Sequence, residues 1–149
     1  MKIPKRIITI VLCLSMLAVI SVPVFASEMN VVVNGTTLIF DQPPIRQDGR
    51  ILVPFRTLFE AIDASVDWND DTQAVTAIKD DIAVTLTVGS DILNKNGTGT
   101  TMDVPAQIIN GRTMIPTRAV AESFGADVAY EPATGTVIIN IPTLPKRHD

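Results

Sequence analysis

The sequence predicts an α+β fold, with mostly antiparallel strands packed around two short helices, built from two pseudo-symmetric repeats of about 62 residues. Three observations predict it. Residues 34–78 match residues 96–140 without a gap, identical at 14 of 45 positions, and repetition at a fixed period encodes architecture. Apolar residues take helical spacing after Pro54 and again after Pro116, whereas Ile82, Val84, Leu86 and Val88 alternate with smaller or polar residues as a half-buried strand does. Turn formers such as Asn34-Gly35, Asp48-Gly49, Asn96-Gly97 and Asn110-Gly111 punctuate the chain at matching places.

The elements follow in order. Residues 1–26 read as a signal peptide. Lys2, Lys5 and Arg6 precede an apolar run from Ile7 to Ile20, and Val24-Phe25-Ala26 precedes the expected cut. The run is too short to span a bilayer comfortably. The alternative is an uncleaved anchor. Asn30–Val33 reads as a strand entering the Asn34-Gly35 turn, Thr37–Phe40 as its return strand, and Asp41–Pro44 as a break. Arg50–Val53 resumes extended structure. Pro54 is expected at the first position of a helix, where its fixed φ and missing N–H are tolerated. Phe55, Leu58, Phe59 and Ile62 then share one face, as do Thr117, Val120, Ala121 and Phe124 in the second unit. Gly125 suits a left-handed helix cap, and Asp63 stands at its place in the first unit. Strands around Trp68, Ala74–Ile78, Tyr130 and Thr136–Ile141 complete the units. The expected organisation is a signal peptide at 1–26, one domain at 27–145 with units of about 30–91 and 92–141, and a tail at 146–149.

Composition narrows the function classes. Cleavage removes three basic residues and the lone cysteine, Cys13, leaving nine basic against 16 acidic residues. A chain so acidic is a poor partner for nucleic acid, whose binding rests on cationic contacts to phosphates. Without cysteine, a disulfide, a thiolate nucleophile and a Cys metal site are all excluded. An exported domain of about 123 residues without disulfides fits a bacterial envelope.

Asp48-Gly-Arg-Ile-Leu-Val-Pro-Phe-Arg56 and Asn110-Gly-Arg-Thr-Met-Ile-Pro-Thr-Arg118, each followed by a short helix with Glu60 or Glu122, resemble the copper amine oxidase N-terminal-like, or stalk, domain family. The resemblance covers about 30–141. It implies an exported bacterial module folded as an antiparallel sheet wrapped around a helix, lying away from the catalytic copper, with no catalytic residue to carry over.

Candidate chemistry is sparse. His148 is the only histidine and sits in the tail, so an imidazole copper site cannot be assembled. No cofactor is expected. Asp67, Asn69, Asp70 and Asp71 begin like a calcium loop, but Thr72 replaces its glycine and Ile78 its bidentate glutamate. Arg50, Pro54, Arg56, Glu60 and their copies Arg112, Pro116, Arg118, Glu122 form the repeated motif. Arg56 and Glu60 lie at i, i+4 and can pair on a helix. The arginines can clamp neighbouring turns through their five donors or line a site for carboxylates or phosphates. Trp68 and Tyr130 are core aromatics or platforms for sugars. The expected function is a non-enzymatic exported envelope module that binds or scaffolds through its sheet surface, with a cell-wall component or envelope protein as partner. The alternatives are a glycan- or peptidoglycan-binding domain using Trp68 and Tyr130, and a carboxylate-based hydrolase.

Overall fold

The computed structural model describes residues 20–21 and 28–143. The signal peptide, Cys13, His148 and the 146–149 tail lie outside those residues, apart from Ile20 and Ser21.

Thirteen strands and two helices are described. The chain runs β1 (Asn30–Val33), β2 (Thr36–Thr37), β3 (Ile45–Gln47), β4 (Arg50–Pro54), α1 (Phe55–Ala61), β5 (Ser65–Asn69), β6 (Ala74–Lys79) and β7 (Ile82–Thr87). It continues through β8 (Ile92–Lys95), β9 (Thr98–Thr101), β10 (Gln107–Ile109), β11 (Arg112–Pro116), α2 (Thr117–Ser123), β12 (Asp127–Glu131) and β13 (Thr136–Asn140). They form three sheets, ordered β12-β13-β1-β2, β10-β11-β4-β3 and β5-β6-β7-β8-β9. Among the described residues every pairing is antiparallel except β1 with β13, which run parallel with Val31 opposite Val137. The strands are thus mostly antiparallel, as the sequence suggests, and the first and last of them pair side by side.

The β10-β11-β4-β3 sheet joins its two hairpins through β4 and β11, where Val53 lies opposite Ile115. Both helices lean on this seam. α1 packs on β4, β5 and β11, and α2 on β4, β11 and β12. A seven-residue helix is marginal alone in water, so burial of one face holds each in place. Phe55, Leu58 and Phe59 are buried on α1, and Thr117, Val120 and Ala121 on α2. Phe59 and Phe124 meet edge to face at 6.0 Å between ring centroids. One core cluster takes in both helices with Val31, Val75, Val84 and Ile139. Each large apolar side chain buried in it contributes about 1.5–3 kcal/mol.

Local readings at two places need correction. Pro54 and Pro116 are the last residues of β4 and β11 and cap the helices with extended ψ, so the first helical residues are Phe55 and Thr117. Each proline makes the bend from strand to helix, a place that asks nothing of its missing N–H. The return strand expected over Thr37–Phe40 is only Thr36–Thr37; beyond it Leu38 N–H still donates to the Val31 carbonyl, and the Asp41-Gln-Pro-Pro44 break then turns the chain away. The helix ends agree with expectation. Asp63 and Gly125 adopt φ of 60° and 84°. Their N–H groups donate to the Glu60 and Glu122 carbonyls, and the following alanines donate to Phe59 and Ala121, the paired bonds of a Schellman motif.

Candidate functional site

The repeated motif residues converge on two grooves, one beside each helix, and the arginine of one half faces the helix of the other. Pro54, Arg56, Glu60 and Trp68 share a groove with Arg112. Pro116, Arg118 and Glu122 share one with Arg50. The antiparallel β4–β11 seam causes this exchange. Each strand carries its leading arginine across to the end of its partner, where the partner's helix begins.

Two exposed ion pairs accompany that arrangement. Arg50 Nε donates to Asp103 Oδ2 at 2.8 Å, with a second contact from Nη2. Arg112 Nη2 donates to Asp41 Oδ2 at 2.5 Å. The Arg112 hydrogen bond, helped by the Gln42 backbone N–H, holds the Asp41 carboxyl below its usual 3.8. A carboxyl lowered in this way is ionised near neutral pH and is a poor general acid there. Asp41 and Asp103 are absent from the motif read in the sequence. The signal that could have found them is plain: they are copies of each other, among the identical positions of the 34–78 and 96–140 match.

The other arginine pair behaves differently. Arg118 lies 3.8 Å from Glu122, both half exposed. Arg56 makes no ion pair with Glu60 among the described residues, against the expected i, i+4 contact; its guanidinium lies 5.3 Å from the Phe55 ring centroid. The closer pairs are thus those of Arg50 and Arg112, while Arg56 and Arg118 stand at the groove walls without one.

The groove beside α1 has a volume of about 770 Å³ and an aromatic floor. Phe55 and Trp68 stack with centroids 6.0 Å apart, beside the half-buried Phe40. Its rim carries Ile39, 91% exposed, and Ile108, 48% exposed. One face of Trp68 therefore belongs to Phe55, and its indole N–H donates to Asp70. The Asn69–Thr72 segment is a closed turn, with Asn69 Oδ1 accepting from the N–H groups of Asp71 and Thr72. Among the described residues no three His, Cys, Asp or Glu side chains group to hold a metal.

Beside α2 the concavity is split. One cavity of about 390 Å³ holds Lys95, Asp103 and Glu122. A second, of about 270 Å³, is walled by Arg46, Arg50, Thr117, Arg118 and Tyr130. Tyr130 is 36% exposed, and its ring is already occupied: Arg46 stands 5.2 Å from the centroid and donates to the hydroxyl. Trp68 and Tyr130, which occupy matching positions in the sequence, thus sit in unlike surroundings. No described helix is long and apolar enough to cross a membrane.

The family described as Copper amine oxidase N-terminal domain matches residues 32–139. A curated protein named "Protease inhibitor" from Brevibacillus choshinensis is 29% identical over 164 aligned positions, covering 97% of this chain and 50% of that protein. The chain spans about half the length of this relative.

Proposed function

Because the chain belongs to the copper amine oxidase N-terminal domain family, we propose that it is a non-enzymatic exported module of the bacterial cell envelope, binding an envelope protein or wall component through its helix-side grooves. The observation that carries this reading is the groove beside α1. An aromatic floor and two exposed isoleucines at the rim suit an apolar group, with Arg56 and Glu60 as polar contacts beside it. The family's name-giving domain is non-catalytic, which supports the absence of turnover. The Lys2–Ala26 segment supports export. The pseudo-symmetric reading draws support from the element spacing. β8 to β11, α2, β12 and β13 each begin one constant interval after β1 to β4, α1, β5 and β6, the interval from Asn30 to Ile92 and from Ala74 to Thr136.

Binding to insoluble cell wall or to an envelope partner should fall about tenfold or more in Trp68→Ala, the loss typical of an aromatic anchor, while Tyr130→Ala changes it little. Undiminished binding in Trp68→Ala removes the groove from the account. The relative's printed name favours a second reading, inhibition of an extracellular protease. Titration against serine, cysteine and metalloproteases tests it, and full protease activity at tenfold excess of the chain excludes it.

A further inference from the structure

We propose that the smaller cavity beside α2 is a binding site for a phosphoryl group. Three arginines line it, Arg46 on β3, Arg50 on β4 and Arg118 on α2, and no carboxylate does. In a chain whose acids outnumber its bases 16 to 12, three arginines against two paired carboxylates leave one net positive charge beside this cavity, that of Arg46. The carboxylates that pair with two of them, Asp103 and Glu122, line the neighbouring cavity instead.

A second observation is independent of charge. Thr117 is 1% exposed and lines this cavity, and its hydroxyl has no hydrogen-bond partner. An unpaired buried hydroxyl is costly, and such groups are rare without a reason. Tyr130 adds a third kind of donor. Its oxygen accepts from Arg46, which leaves its own proton free for another acceptor. The lining residues that carry donors thus come from four elements, β3, β4, α2 and β12. A phosphoryl group, with its oxygens around a tetrahedral centre, meets them from several sides.

The other half of the chain shows that this chemistry is particular to one groove. At the repeat positions matching Arg46, Thr117 and Tyr130 stand Ile108, Phe55 and Trp68, which line the aromatic groove. All three polar positions become apolar or aromatic together. One groove is built for apolar contact and the other for an oxyanion.

The test is titration of the purified chain with inorganic phosphate at constant ionic strength, followed by melting temperature and by amide shifts, with chloride and acetate as comparison ions. Dimethyl phosphate in a parallel titration distinguishes the source: saturation by both probes points to a phosphodiester chain, and saturation by inorganic phosphate alone to a free or terminal phosphate. A saturable response to a phosphate probe that chloride and acetate do not give supports the site. Arg46→Gln and Thr117→Val should each weaken it about tenfold, the value of one hydrogen bond to a charged group, while Trp68→Ala leaves it unchanged. Arg46 is exposed and Thr117→Val is isosteric, so both variants keep the fold. A response shared by all the anions, or one unchanged in both variants, overturns the proposal.

Discussion

Arg118 shows how position decides what a charge is worth. It belongs to the repeated motif, yet its one acidic neighbour is 3.8 Å away and both side chains are half exposed. Solvent screens such a pair, and exposed pairs contribute about 0–1 kcal/mol. Arg118→Ala should therefore lower stability by no more than about 1 kcal/mol, measured by urea denaturation; a larger loss would mean the side chain holds the helix in place. Arg50 and Arg112 make closer pairs, but at comparable exposure, so the same screening limits what each contributes. The motif is readable because identical residues recur; the i, i+4 pairing expected of Arg56 and Glu60 is met instead by their copies, Arg118 and Glu122. What sequence could not supply was the partner. Asp103 and Asp41 are 53 and 71 residues from the arginines they accept from, a separation set by the β4–β11 register rather than by local spacing. Thr117 was legible only as a core position, since nothing in a sequence shows that a hydroxyl lacks a partner.

Among the elements, the helices were the most legible, because both their apolar face and their exit are written locally. Phe55, Leu58 and Phe59 follow the helical period, and Gly125 marks a left-handed cap. Helix entry shifts by a single position from the sequence reading, since proline is compatible with the last strand position as well as the first helical one. The two caps also make a comparison. Gly125 adopts φ of 84° with open space around it, so Gly125→Ala meets no clash and its cost is conformational, about 1 kcal/mol. A fall in melting temperature of a few degrees would match that figure; none would mean the cap relaxes. The short second strand escaped reading because Leu38, Ile39 and Phe40 look like strand residues by composition. Ile39 and Phe40 serve the groove instead, with Ile39 91% exposed at its rim.

For the molecule as a whole, the fold class was legible and the sheet order was not. Alternation in β7 and the turn pairs announce antiparallel hairpins, but nothing local says that β7 lies between β6 and β8 while β13 pairs with β1 directly. That choice depends on the core that the sheets share. Its consequence is mechanical. β1 and β13 run parallel, with Asn30 opposite Thr136 and Val33 opposite Ile139. The chain enters at one end of this strand pair and leaves at the other. Tension between residues 28 and 143 therefore pulls the two strands lengthwise past each other, and their hydrogen bonds carry the load together in shear rather than opening one after another. A module held by one end and pulled from the other would yield abruptly and at high force, with β1 and β13 as its breaking point.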